Sequence, residues 1–173
     1  MTEPASPAPA STAADAPAID SRAGFHAAVR WGVEAAAARD ARTLTLVDAD
    51  FGDWALDDEA LLQSLRSWIR RPQRRLVLVA ASFDTVQQRF PRFASWHATW
   101  AHAVEAIVPD ETVVDEWPSM LVDDGPVGVE LFDRVHWRGR AGIDARAAWS
   151  CRERCDVLAQ HRVAGWPVKP LGL

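Results

Sequence analysis

The chain has 173 residues, 49% of them apolar and 25% charged. That is enough for one domain with a buried core, and no stretch approaches the roughly 18 consecutive apolar residues of a membrane helix. Formal net charge is -5, but Glu3, Asp15 and Asp20 stand in a segment without Lys or Arg, so residues 21–173 carry 19 basic against 21 acidic side chains. Such a balance excludes a global field pulling toward nucleic acid or an anionic membrane.

Residues 1–20 begin "MTEPASPAPASTAADAPA". They have neither the basic nor the apolar region of a secretory signal, and their Pro, Ala, Ser and Thr cannot repay chain ordering. A disordered tail is expected there, followed by a single domain over 21–173. Asp20 or Ser21 caps a predicted helix with Phe25, Val29 and Val33 on one face, ending near Arg39–Asp40. "TLTLV" (43–47) reads as a buried strand and "DADFGDWA" as the loop after it. Asp57 or Asp58 caps a second helix, with Leu61, Leu62, Leu65, Trp68 and Ile69 as its apolar stripe and Pro72 beyond its end.

"LVLVAA" (76–81) lacks polar alternation, as a parallel strand covered on both faces does. A helical region from about 84 to 103 breaks near Pro91, and "VEAIV" (104–108) offers a third strand. "SMLVD" (119–123) and "VGVELF" (127–132) form two strands joined by a "DGP" turn, with a short strand near 141–145. A last helix spans about 147–162, and "GWPVKPLGL" shows no element. Strands alternating with helices predict an α/β layered sheet, mostly parallel and covered by helices.

Several constellations invite chemistry. Asp48, Asp50 and Asp53 follow the first strand, where open α/β sheets bind ligands. Asp48 and Asp50 are the right types for Mg²⁺ with a phosphate, which makes a metal-dependent phosphohydrolase the alternative function. The ligand set is incomplete, however, and Gly52 stands where a haloacid-dehalogenase pattern carries Thr or Val, so no metal and no cofactor are expected. "RRPQRR" (70–75) suits a helix C-terminus, where arginines complement the dipole, although it also suits phosphate. Trp96 and Trp100 share a helical face and suit packing; His97 and His102 are five apart, not the spacing of a helical zinc pair. Cys151 and Cys155 on one helix have Cβ atoms about 5–6 Å apart, too far for a disulfide. Free thiols and a cytoplasmic location are expected. No GxSxG, P-loop or GxGxxG motif is present.

"EWPSMLVDDGPVGVEL", taken with "TLTLVDADFGDW", "LLQSLRSWIRRPQRR" and "LVLVAA", resembles the phospholipase D-like superfamily over about residues 43–146. It is also similar to an uncharacterised bacterial domain found behind some acetyltransferases. The superfamily signature H-x-K-x-x-x-x-D places Trp117 at the His, Ser119 at the Lys and Asp124 at the Asp. The resemblance implies a phospholipase D-like half-domain whose nucleophile and cation are gone, since an indole cannot attack phosphorus and a hydroxyl supplies no charge. It therefore implies a catalytically inactive binding or assembly module, not an enzyme. Its vestigial cleft would hold Trp117, Ser119, Asp124, Asp48 and Asp50, with Arg134, Arg138 and Arg140 of "DRVHWRGR" bringing charge for a small phosphate-containing ligand. Trp117 and Ser119, two apart, are expected on one strand face. By the same resemblance the chain pairs as a homodimer; a protein partner is the other option, and neither membrane nor nucleic acid is expected.

Overall fold

The computed structural model describes residues 15–109, 116–160 and 162–166. Residues 1–14, most of the expected tail, lie outside them, as do residues 167–173. The helix α1 (Arg22–Ala38) starts where the Ser21 hydroxyl accepts the Gly24 N–H, and the chain turns away at Asp40 with φ 60. The strand β1 (Thr43–Val47) leads through a loop to α2 (Glu59–Ile69), capped by Asp58, which accepts the Leu61 N–H at 2.9 Å. Then come β2 (Arg75–Val79), α3 (Asp84–Arg89), α4 (Pro91–Thr99) and β3 (Val104–Pro109). The neighbouring Asp57 caps α4 instead: its carboxylate accepts the Phe93 N–H at 2.8 Å and the Arg92 N–H at 3.3 Å. Next are β4 (Ser119–Asp123), β5 (Val127–Asp133), β6 (Arg138–Ile143), α5 (Ala145–Ala159) and β7 (Arg162–Ala164).

One seven-stranded sheet runs β6-β5-β4-β1-β2-β3-β7. Only β1–β2 and β2–β3 pair in parallel; the other four pairings are antiparallel. The expectation of a mostly parallel sheet is thus corrected to a mixed sheet with mainly antiparallel pairings. Parallel neighbours need a crossover, which α2 and the α3–α4 pair supply; β4, β5 and β6 follow one another through short turns that leave room only for hairpins. The strand β7, which begins on the residue expected to end the last helix and runs through the two residues before the tail, pairs with the outer edge of β3. This covers an edge that would otherwise offer unpaired backbone groups.

Apolar residues alternate along the central strands, so both faces are dry. Leu44, Leu46, Leu76, Leu78, Leu121 and Val129 face the layer of α1–α4. Val47, Val79, Ile107, Met120 and Val122 face α5 through Ala148, Cys151, Cys155 and Leu158. Both thiols are free and buried, and burial pushes that of Cys155 up to about 12. Chain order also begins earlier than the expected 1–20 boundary. Ile19 is buried in the core, Ala16 packs on it, and the Ile19 carbonyl accepts the Gly139 N–H at 3.4 Å. One branched apolar side chain suffices to dock this stretch of an otherwise polar and small-residue segment.

His97 on α4 is buried, with its ring stacked on Trp166 at 4.1 Å, and burial holds its pKa below 6.5. A depressed histidine pKa gives stability that is complete above 6.5 and declines as pH falls from there to the folded-state pKa, because the unfolded chain takes up the proton first. His97→Phe, which keeps a stacking ring, should therefore lose less stability than the native protein when urea unfolding is moved from about pH 7.5 to about pH 5. Equal losses in the two proteins would assign the acid sensitivity elsewhere.

Candidate functional site

The carboxyl end of β1 carries the densest polar cluster. Asp48 continues the parallel ladder, its N–H donating to the Val79 carbonyl at 3.1 Å, and its side chain is fully buried. Oδ1 accepts the backbone N–H of Asp50 at 3.2 Å and of Phe51 at 3.0 Å. The second of these holds Phe51 at φ 58, in the left-handed region that a bulky residue rarely enters. Oδ2 accepts the indole N–H of Trp54 at 2.9 Å and the Ser119 hydroxyl. Arg134, from the turn after β5, closes the cluster as a fork, with Nη atoms 2.9 Å from Oδ2 and 3.4 Å from Oδ1. It also lies 3.9 Å from Asp53.

Asp50 sits beside this cluster but turns to other work. Its Oδ1 accepts the Gly52 N–H at 2.8 Å and its Oδ2 the Thr85 hydroxyl at 3.2 Å. The loop 48–54 is thereby folded onto itself and onto α3. Trp54 is packed edge-on against Phe25 and Phe51. Among the described residues, no three His, Cys, Asp or Glu side chains form a group suited to a metal ion.

The expected cleft residues divide among several places. Asp48, Asp50, Ser119 and Arg134 meet at the carboxyl end of β1. Asp124 lies at the other end, its carboxylate accepting the Arg42 N–H at 3.2 and 3.3 Å. From Ser119 it is five residues along the chain, about 16 Å of extended strand. Trp117 packs with the α5-side cluster, whereas Ser119 turns to Asp48 and Trp54 on the opposite side. The expectation that the two share a strand face is corrected: β4 starts only at Ser119, so Trp117, separated by Pro118, does not follow the two-residue period. Arg138 is exposed on β6. Arg140 reaches Glu130 at 3.1 Å and lies over the Phe132 ring at 5.4 Å.

Glu130 anchors a second cluster that sequence reasoning missed. It is buried, is bonded by both Arg140 and Arg154, and has the Cys151 sulfur 3.9 Å away. The signal was present: in "VGVELF" the odd positions are apolar and face α1–α4, leaving a lone carboxylate on the α5 face. Trp54 was missed as a donor as well, because only the fold shows that its N–H meets Asp48.

No protein-family model matches this chain, and no curated protein matches it. Among solved structures it is similar to TrmBL2, an archaeal chromatin protein whose structure shows a novel mode of DNA binding, with a TM-score of 0.55 and 12% sequence identity over 86% of this chain. The chain spans about half of TrmBL2, 52% of its length. At that identity the likeness concerns the fold alone, an α/β domain with a single mixed sheet flanked by helices.

Proposed function

We propose that this chain is a non-catalytic binding or assembly module built on a phospholipase D-like half-domain. The closed state of the Asp48 cluster supports this most directly. Both carboxylate oxygens already accept from backbone, indole, hydroxyl and guanidinium donors, so the group is spent on holding the loop, β4 and Arg134 together. A metal-dependent phosphohydrolase using Asp48 and Asp50 would have to break these bonds to free oxygens for an ion, at the cost of stranding the buried donors that now meet Asp48. Ser119, at the position of the superfamily lysine, donates to Asp48 and brings no charge; Trp117, at the position of the nucleophile, packs beneath α5. A cytoplasmic role fits the free thiols, and no helix among the described residues is long and apolar enough to cross a membrane. The resemblance adds pairing of two copies, which sedimentation equilibrium would read directly.

Two measurements test the reading together. Calorimetric titration with Mg²⁺, Mn²⁺ or Ca²⁺ should give no binding tighter than about millimolar, and a generic phosphodiester such as bis(p-nitrophenyl) phosphate should not be turned over. Micromolar metal binding that vanishes in Asp48→Asn would establish the phosphohydrolase instead. Turnover of the diester that is lost in Asp124→Ala would restore a catalytic role.

A further inference from the structure

Two sequence features left aside by the Asp48 cluster, the arginine-rich end of α2 and the tryptophan pair of α4, meet in space. They line a groove of about 500 Å³ between the two helices, with Arg66 and Arg70 on one side and Arg92, Trp96 and Trp100 on the other. Ligand sites for small molecules span roughly 300–1,000 Å³. The lining contains no carboxylate. Just outside it, Glu59 pairs with Arg66 at 3.3 Å and with Arg92 at 2.8 Å, so one negative charge is shared between two cations. Arg70 is exposed and forms no ion pair among the described residues. The groove therefore carries a surplus of positive charge, with the Ser95 and Thr99 hydroxyls beside it.

The aromatic wall has a second peculiarity. Trp96 is 3% exposed, yet its indole N–H finds no acceptor among the described residues. Buried indoles ordinarily find one, and an unmet donor costs about 1–3 kcal/mol. Trp100 is only half-buried, which leaves ring surface at the groove. The Trp96 N–H is itself buried and out of a ligand's reach, so what the groove offers a ligand is the unpaired Arg70 and the exposed part of the Trp100 ring.

We infer that this groove binds a free nucleotide, the phosphate held by Arg66, Arg70 and Arg92 and the base lying against the part-exposed ring of Trp100. Guanidinium groups grip phosphate oxygens through paired N–H donors, and an indole offers a flat π-face on which any base stacks. Both parts of the ligand are needed: a bare anion would leave the aromatic wall unused, and a neutral base would leave the charge unmatched. The groove shares no residue with the Asp48 cluster, so this inference stands or falls separately from the proposed non-catalytic role.

Calorimetry at low ionic strength with AMP, inorganic phosphate and adenosine tests it on the intact protein. AMP should bind with a submillimolar Kd, and phosphate and adenosine each at least about tenfold more weakly. Arg70→Glu, an exposed position at a helix end, should weaken AMP by about tenfold or more, while Arg146→Glu, exposed on α5 across the sheet, should not change it. Trp100→Leu should weaken AMP but leave phosphate unaffected, with circular dichroism confirming an intact fold. No AMP binding in the millimolar range, equal binding of AMP and phosphate, or indifference to Arg70→Glu would each overturn the inference. An oligothymidylate that binds more than about tenfold tighter than AMP through Arg70 would also overturn it, by assigning the groove to a nucleic-acid strand.

Discussion

Asp48→Ala should lower the midpoint of thermal unfolding by on the order of 10 °C, the largest effect expected of any single substitution at the polar cluster. The side chain is fully buried and accepts six contacts from five residues. Removing it leaves the Ser119 hydroxyl without its acceptor, the Trp54 N–H with only Ser119 at 3.3 Å and Arg134 with only Asp53 at 3.9 Å. Each buried donor left unmet costs about 1–3 kcal/mol, several are stranded at once, and each kcal/mol moves the midpoint about 2–4 °C in a domain of this size. Asp48→Asn keeps the shape but faces donors with a donor, so an intermediate loss is expected. Arg134→Ala should cost less than Asp48→Ala, because that guanidinium is partly exposed and its removal leaves the carboxylate with four other donors. In a double-mutant cycle the pair should be strongly non-additive. A midpoint for Asp48→Ala within about 2 °C of the native protein would show that the cluster does not hold this end of the sheet.

Trp68→Ala is expected to cost about 3–5 kcal/mol in urea unfolding, the usual range for truncating a fully buried large ring. Trp68 sits on the inner stripe of α2, wholly buried, and its N–H donates to the Ala41 carbonyl at 2.8 Å. This bond ties the end of α2 to the segment entering β1. Trp68→Phe retains most of the packing and loses the donor, so it should cost about 1–3 kcal/mol. A Trp68→Phe loss equal to that of Trp68→Ala would place the value of the residue in the hydrogen bond rather than the ring. Since α2 also presents Arg66 and Arg70, Trp68→Ala should blur the groove between α2 and α4 as well, whereas Arg70→Glu should leave stability nearly unchanged.

Much of this protein is determined locally and was therefore legible in the sequence. Ser21 and Asp58 mark helix starts because a cap acts within one turn, and the break expected near Pro91 falls between α3 and α4. The runs at 43–47, 76–81 and 119–123 read as strands because short apolar, β-branched runs bounded by turn residues suit a pleated, buried surface by themselves. The placement of Asp48 past a parallel strand followed from the same pattern, as did the turn at "DGP" (124–126), although the carboxylate that holds it, accepting the N–H groups of Gly125 and Val127, belongs to Asp123 at the end of β4.

What only the tertiary structure decided depends on contacts between distant residues. Strand direction is one case: identical apolar runs serve parallel and antiparallel neighbours, and the choice rests on where the chain returns. Three residues after α5 become β7 because the edge of β3 is there to pair with, not because "RVA" favours a strand. Asp57 looked equally suited to cap α2, yet it caps α4, which lies 36 residues on from it at Phe93. Arg134 is expected from the sequence to bring charge to a phosphate-containing ligand, yet its carboxylate partner Asp48 is 86 residues away. The groove of Arg66, Arg70 and Trp100 likewise joins two helices whose separate sequences offer an arginine-rich end and a packed stripe with nothing to show that they meet. Local free energies set where elements begin and end, while which side chains meet is set by the burial of the whole sheet, a quantity no short window of sequence contains.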